Sequence, residues 1–198
     1  MSVVLVRVDD RLLHGQIVEA WAPYCKATRI IVANDEAKKS RLQRLAIESC
    51  GSTALAIRVE DIEESIKDIA PDNTNKERVI VVFSTLKDLM QAYNKGLRFS
   101  SINIGNIHHN GKGKLLTPSV YIDEEDEVIL HTLSQLGVEL DIRAVPTDKP
   151  VGIKIEMRNE KKPYSHFCFL SLCRGYLIAG HYLAVFSCIS GRRASVSG

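Results

Sequence analysis

The sequence predicts an α/β protein, an open and mostly parallel sheet with helices on both faces. Two observations carry that prediction. Short apolar runs rich in β-branched residues recur at 3–8, 29–33, 53–59, 78–83, 101–104, 119–122 and 138–145. Segments with helical spacing lie between them. Runs this short and continuously apolar suit strands buried on both faces, as in a parallel sheet covered by helices. Strand-helix-strand repetition at this pitch implies right-handed crossovers.

The elements follow in order. After the first run, a helix is expected from Gly15 to about Trp21, with Trp21 facing the core four residues after Ile17. Leu42, Leu45, Ala46 and Ser49 fall at i, i+3, i+4 and i+7, and Leu86, Leu89, Met90 and Tyr93 repeat that spacing. Val128, Ile129, Thr132, Leu133 and Leu136 make a third apolar stripe. One α/β domain is therefore expected over residues 1–150. Residues 151–198 read as an atypical C-terminal tail, basic as far as Lys162 and then apolar over 167–190. About 20 apolar residues suffice to span a bilayer. Against that, Arg174 lies inside the stretch, and a charge at depth costs roughly 2.5–3.5 kcal/mol. Two readings stay open, a membrane-associated segment and a non-native or loosely packed extension.

Composition narrows the function classes. Lys+Arg 26 against Asp+Glu 24 leaves a formal charge of +2, without the basic excess of a nucleic-acid binder, so no nucleic-acid partner is expected. The five cysteines are odd in number and none has C-x-x-C spacing, which argues against a zinc or redox site and for a reducing cytosol. The N-terminus lacks the basic region and cleavage site of a signal peptide. No G-x-G-x-x-G follows the first strand, so a nucleotide-binding domain is disfavoured. His108-His109 and the G-K-G-K turn at 111–114 read as a site rim and a basic turn, since neither has partners at ligand or Walker spacing. No metal and no cofactor are expected.

In parallel α/β sheets, ligands bind beyond the carboxyl ends of the strands. The first strand ends in V-R-V-D-D-R-L-L-H-G-Q-I, which places His14 just before a helix, with two arginines and two aspartates close by. A partly neutral imidazole offers a nucleophilic nitrogen. Free N–H groups at a helix start favour an anion, and Gly15 allows close approach of the backbone. Arg7 or Arg11 can fork onto phosphoryl oxygens, and Asp9 or Asp10 can orient an arginine or the imidazole. The same residues also fit a loop that merely caps a helix and pairs charges at the surface.

V-D-D-R-L-L-H-G-Q-I closely resembles the active-site loop of the IIB components of the mannose/fructose/sorbose family of the phosphoenolpyruvate-dependent sugar phosphotransferase system. That family's R-x-D-x-R-L-x-H-G-Q followed by a tryptophan is met by Arg7, Asp9, Arg11, Leu12, His14, Gly15, Gln16 and Trp21. The resemblance continues through R-I-I-V-A-N-D-E, E-R-V-I-V-V-F-S, S-I-N-I-G-N-I-H-H and V-E-L-D-I-R-A-V-P-T-D, as far as about residue 150.

The resemblance implies a protein-N(π)-phosphohistidine–sugar phosphotransferase. His14 would accept a phosphoryl group at Nδ1 from a IIA component and pass it to a sugar entering through IIC and IID membrane subunits. Arg11 would neutralise the phosphoryl group, with Asp9 the neighbouring carboxylate. Arg7, Gly15, Gln16 and a second loop at Ser84 and Thr85 would bind phosphate. A cytoplasmic protein, peripherally associated with the transporter, is implied. A homo-oligomer is compatible with all of this. The alternative is a regulatory domain in which phosphorylation of His14 controls partner binding.

Overall fold

In the computed structural model, residues 1–69, 77–108 and 113–152 are described, all within one compact unit. Its strands in chain order are β1 (Ser2–Asp9), β2 (Arg29–Ala33), β3 (Ala56–Glu60), β4 (Arg78–Phe83), β5 (Ser101–Asn106), β6 (Lys114–Thr117), β7 (Val120–Ile122), β8 (Glu139–Ile142) and β9 (Val151–Gly152). The main sheet has the order β3-β2-β4-β1-β5-β8-β9. Every pairing from β3 to β8 is parallel, and β9 adds antiparallel to β8. The expected architecture is therefore the observed one, with β1 near the middle of the sheet. Of the expected tail, only Val151 and Gly152 are described; the rest lies outside the described residues.

Alternate side chains leave opposite faces of a strand, so the apolar runs build two cores. Val6, Val8, Ile31, Ala33, Val79, Val81, Phe83, Ile102 and Ile104 face α4 (Ile62–Asp68), α5 (Leu86–Asn94) and α6 (Glu124–Gln135). Ile30, Val32, Ile57, Val59, Ile80 and Val82 face Leu12, Ile17, Trp21 and Ala22, and Ala37 of α2 (Asp35–Lys39). Ile17 and Trp21 belong to a π-helical segment, Gln16–Trp21, that runs into the short α1 (Ala22–Tyr24). Trp21 is core, as its spacing predicts.

Three expectations are corrected. The run at 119–122 does not join the main sheet. Pro118 and Ser119 turn the chain, so β7 pairs back on β6, and an isolated parallel bridge joins Val120 to Ile107, the residue after β5. On α6 the buried face is Asp126, Leu130 and Leu133, while Val128 and Leu136 of the predicted stripe are exposed. The predicted stripe on α3 (Arg41–Glu48) buries nothing: Leu42 is 82% exposed and Leu45 51%.

Caps end and start these helices where the site needs rigid loops. The Thr85 side chain accepts from the Asp88 backbone N–H at 3.0 Å and starts α5. Asn34 caps α2 by accepting from the Ala37 N–H at 2.7 Å. Its amide also donates to Ser84 at 2.8 Å, which ties together the loops after β2 and β4.

Candidate functional site

The site grows from the last residues of β1. Arg7 and Asp9, two apart on one strand, point to the same face and are both wholly buried. The chain then turns sharply. The Leu12 N–H donates to the Asp9 carbonyl at 2.9 Å, and Leu12 takes a left-handed backbone with φ 55°. A leucine there carries strain, of order 1–3 kcal/mol for a non-glycine residue, which burial of its side chain against the core offsets. The turn brings His14 back over the end of the strand it left. The His14 carbonyl accepts from the Ile17 N–H at 2.9 Å and so opens the π-helical segment.

There His14 Nε2 lies 2.9 Å from Asp9 Oδ2. Arg7 Nη2 donates to the same oxygen at 2.8 Å. On the other oxygen, the Arg11 N–H donates at 3.2 Å and Arg11 Nε approaches to 3.5 Å. Arg11 Nη2 stands 3.4 Å from both His14 Nε2 and Gln16 Oε1. A carboxylate only accepts, so His14 carries its proton on Nε2 and donates it to Asp9. In the neutral ring Nδ1 then holds the lone pair. The longer contact with Arg11, itself only a donor, is subordinate to that bond. Exposure rises outward: 0% for the Asp9 side chain, 18% for His14 and 50% for Arg11.

Burial is the largest influence on the Asp9 carboxyl and by itself would raise its pKa. The hydrogen bond from His14 and the charge of Arg7 oppose it and together prevail, so Asp9 sits below the ordinary aspartate value. Asp9 is thus an anion held between a buried guanidinium and an imidazole. Burial lowers the pKa of Arg7, but the guanidinium stays charged.

His14, Asp9, Arg11 and Gln16 come together as the sequence predicts. A Cβ added at Gly15 would meet nothing closer than Glu19 at 4.0 Å, so the space above this glycine is open. Arg7, expected as a phosphate ligand, lies wholly buried beneath Asp9. Its guanidinium is engaged by Asp9, by Asn103 and by the carbonyls of Arg143 and Ala144, and it reaches His14 through Asp9. The hydroxyls of Ser84 and Thr85 are engaged by the loops after β2 and β4. Ser84 donates to Asp88 at 2.9 Å, and Thr85 caps α5. Neither hydroxyl bonds to the His14 loop among the described residues.

Sequence reasoning missed the residues supplied by distant strands. Trp21 Nε1 donates to the Ala144 carbonyl at 3.0 Å, and the guanidiniums of Arg7 and Arg143 lie 5.5 and 5.4 Å from its ring centre. Asp10 makes a second carboxylate–imidazole pair. It accepts from the His108 backbone N–H at 2.9 Å, lies 3.0 Å from His108 Nδ1, and is also bonded by Asn106. That pair is more exposed, His108 being 63% accessible, and it agrees with the rim predicted for this loop. His109 lies outside the described residues.

Fold and site together define an α/β protein that presents an acid-oriented histidine at the carboxyl end of its central strands. The chain belongs to the sorbose subfamily of phosphotransferase-system IIB components, whose family model matches residues 3–165. It is 29% identical over 153 residues to the sorbose-specific EIIB component of Klebsiella pneumoniae, covering 77% of this chain and 93% of that one. It is 28% identical over 148 residues to the mannose-specific EIIAB component of Escherichia coli, covering 75% of this chain and 46% of that one. The crystal structure of the IIBSor domain of the Klebsiella pneumoniae sorbose permease superposes with a TM-score of 0.71 at 29% identity, covering 77% and 93% of the two chains. The chain is therefore a phosphotransferase component of sugar uptake, a class that works with a IIA component and with membrane components. No helix among the described residues is long and apolar enough to cross a membrane.

Proposed function

We propose that the chain is a phosphohistidine carrier, accepting a phosphoryl group from IIA on His14 Nδ1 and passing it to a sugar during uptake through IIC and IID. The observation that carries this reading is the 2.9 Å bond from His14 Nε2 to Asp9, which leaves the lone pair on Nδ1. In the first step Nδ1 attacks phosphorus, the donor's P–N bond breaks, and its electron pair returns to the donor imidazole. The proton on Nε2 stays against Asp9, which stabilises the positive charge that the ring acquires. In the second step a sugar hydroxyl attacks phosphorus and releases its proton to solvent water as the P–O bond forms. The pair from the P–Nδ1 bond returns to His14.

Arg11, half exposed and beside the ring, supplies the mobile cation for the equatorial oxygens. The open space at Gly15 gives those oxygens room. No nucleotide is needed, because the donor phosphohistidine already stores the transfer potential. The carrier domain spans residues 1–150, and the protein works in the cytoplasm at the inner side of the transporter.

Intact-mass spectrometry after incubation with phosphorylated IIA tests the assignment. One phosphoryl group is expected on the wild type, none on His14→Ala, and loss of the label when sugar and the membrane subunits are added. Label persisting on His14→Ala removes His14. Label that sugar never discharges favours the regulatory reading.

A further inference from the structure

The buried side of the site contains a chain of contacts that the transfer steps do not use. Arg143 grips Asp141 of β8 through Nε at 3.0 Å and Nη2 at 2.9 Å. Asp141 Oδ2 accepts from Asn103 Nδ2 of β5 at 3.0 Å. A carboxylate cannot donate, so the Asn103 amide must turn its NH₂ to Asp141 and its oxygen to the other side. On that other side Arg7 Nη1 donates to Asn103 Oδ1. Arg7 Nη2 then donates to Asp9, and Asp9 holds His14.

Two features show how closely the guanidinium is placed. Its Nε has no hydrogen-bond partner among the described residues, so its aim depends on the two Nη groups. Gly105 lies under it. A Cβ at Gly105 would stand 1.8 Å from Nη2 and 2.0 Å from Cζ. Gly105 is not among the positive-φ glycines, so space, not backbone freedom, is what this position requires.

We infer that Asn103 and Gly105 are positioning residues that keep the Arg7 guanidinium against Asp9, so that Asp9 orients His14 without charging it. An uncompensated carboxylate beside an imidazole favours the imidazolium, whose Nδ1 carries a proton in place of the lone pair. A cation fixed 2.8 Å from the carboxylate opposes that. Arg11 cannot substitute reliably, being half exposed and 3.5 Å away. The other charged groups near this chain of contacts, Asp141 and Arg143, are already paired with each other. The inference rests on the reading of His14 as the carrier.

Gly105→Ala and Asn103→Ala test it, with phosphate uptake measured from pH 5 to 9 and the His14 ring followed by NMR titration. Gly105→Ala is expected to cut uptake at pH 7 by about tenfold, the cost of a lost charge-assisted hydrogen bond. The acidic limb of its pH–rate profile should move upward by about one unit. Asn103→Ala should do the same by about threefold, since Arg7 keeps its carbonyl contacts. In an Arg7→Lys background, Gly105→Ala should cost nothing further, because the group that the extra methyl displaces is gone. Wild-type uptake and profile in both folded variants overturns the inference, and so does a Gly105→Ala loss that adds in full to that of Arg7→Lys. If Gly105→Ala does not fold, Asn103→Ala decides alone. A wild type that takes no phosphate on His14 overturns the carrier reading instead, and the ring titration then still reports on the relay.

Discussion

Asp9 and Glu60 close two parallel strands of the same sheet, both are buried, and both lie beside a buried arginine, yet their acidities move in opposite directions. Asp9 has Arg7 at 2.8 Å and His14 at 2.9 Å, and its pKa is lowered. Glu60 has Arg29 at 3.5 Å, but Arg29 also pairs with Asp68 and with Glu77 at 3.3 Å. Burial, followed by the neighbouring Asp68 carboxylate, pushes Glu60 up to about 7. Burial is the largest influence at both sites, so it does not decide between them. What decides is how many donors the carboxylate has for itself. Asp9 stays an anion and can accept the hydrogen bond from His14 Nε2. Glu60 shares Arg29 with two other acids, and its Oε2 has no hydrogen-bond partner among the described residues.

Asp9→Asn tests this comparison hardest. The amide can still accept from His14, but the charge is gone and Arg7 is left buried without its counter-ion. Phosphate uptake should fall by about 10²- to 10⁴-fold, the range for losing a group that orients a catalytic imidazole. The melt should also show a loss of roughly 3 kcal/mol from the broken buried pair. Uptake within a factor of two of wild type would mean that the buried anion is structural only.

A smaller effect is expected at Arg11. Its alanine variant should slow both acceptance and donation by about 10²-fold through lost charge stabilisation in the transition state. Lysine should rescue only in part, because a point charge lacks the bidentate fork. Single-turnover rates with phosphorylated IIA measure this, and equal rates for wild type and alanine would take Arg11 out of the mechanism.

The smallest effects are on stability, and their signs differ. The lowered pKa of Asp9 means that its contribution is present above the unfolded value, about 4, and is lost as pH falls below it. The raised pKa of Glu60 means that the native state holds a proton that the unfolded chain releases, so stability falls as pH rises from about 4.5 to about 7 and then levels. Glu60→Gln should flatten the melting temperature between pH 5 and 7 and leave uptake unchanged. A slope that survives in Glu60→Gln would assign it to another group.

How much of this was legible beforehand follows from where each partner comes from. Runs 29–33 and 78–83 coincide with β2 and β4, because strands buried on both faces leave an unbroken apolar run. The stripes on α3 and α6 misled, since spacing shows that a helix has an apolar side but not which residues a neighbour covers. Asp9, Arg11, His14 and Gln16 were readable as a site because one tight turn gathers eight consecutive residues. Asn103, Gly105 and Asp141 were not, because strands far apart in sequence bring them to Arg7. For the same reason Arg7 looked like a phosphate ligand: only its contacts with β5 and the chain after β8 reveal that its guanidinium is already engaged.

The central claim is that Asp9 takes Nε2 of His14 and thereby reserves Nδ1 for phosphorus. Nitrogen-15 NMR of the protein phosphorylated by IIA reads that directly, since a phosphorus–nitrogen coupling identifies which ring atom carries the group. The account predicts coupling to Nδ1 of His14, with Nε2 still protonated. Coupling to Nε2, or to no atom of His14, would contradict it.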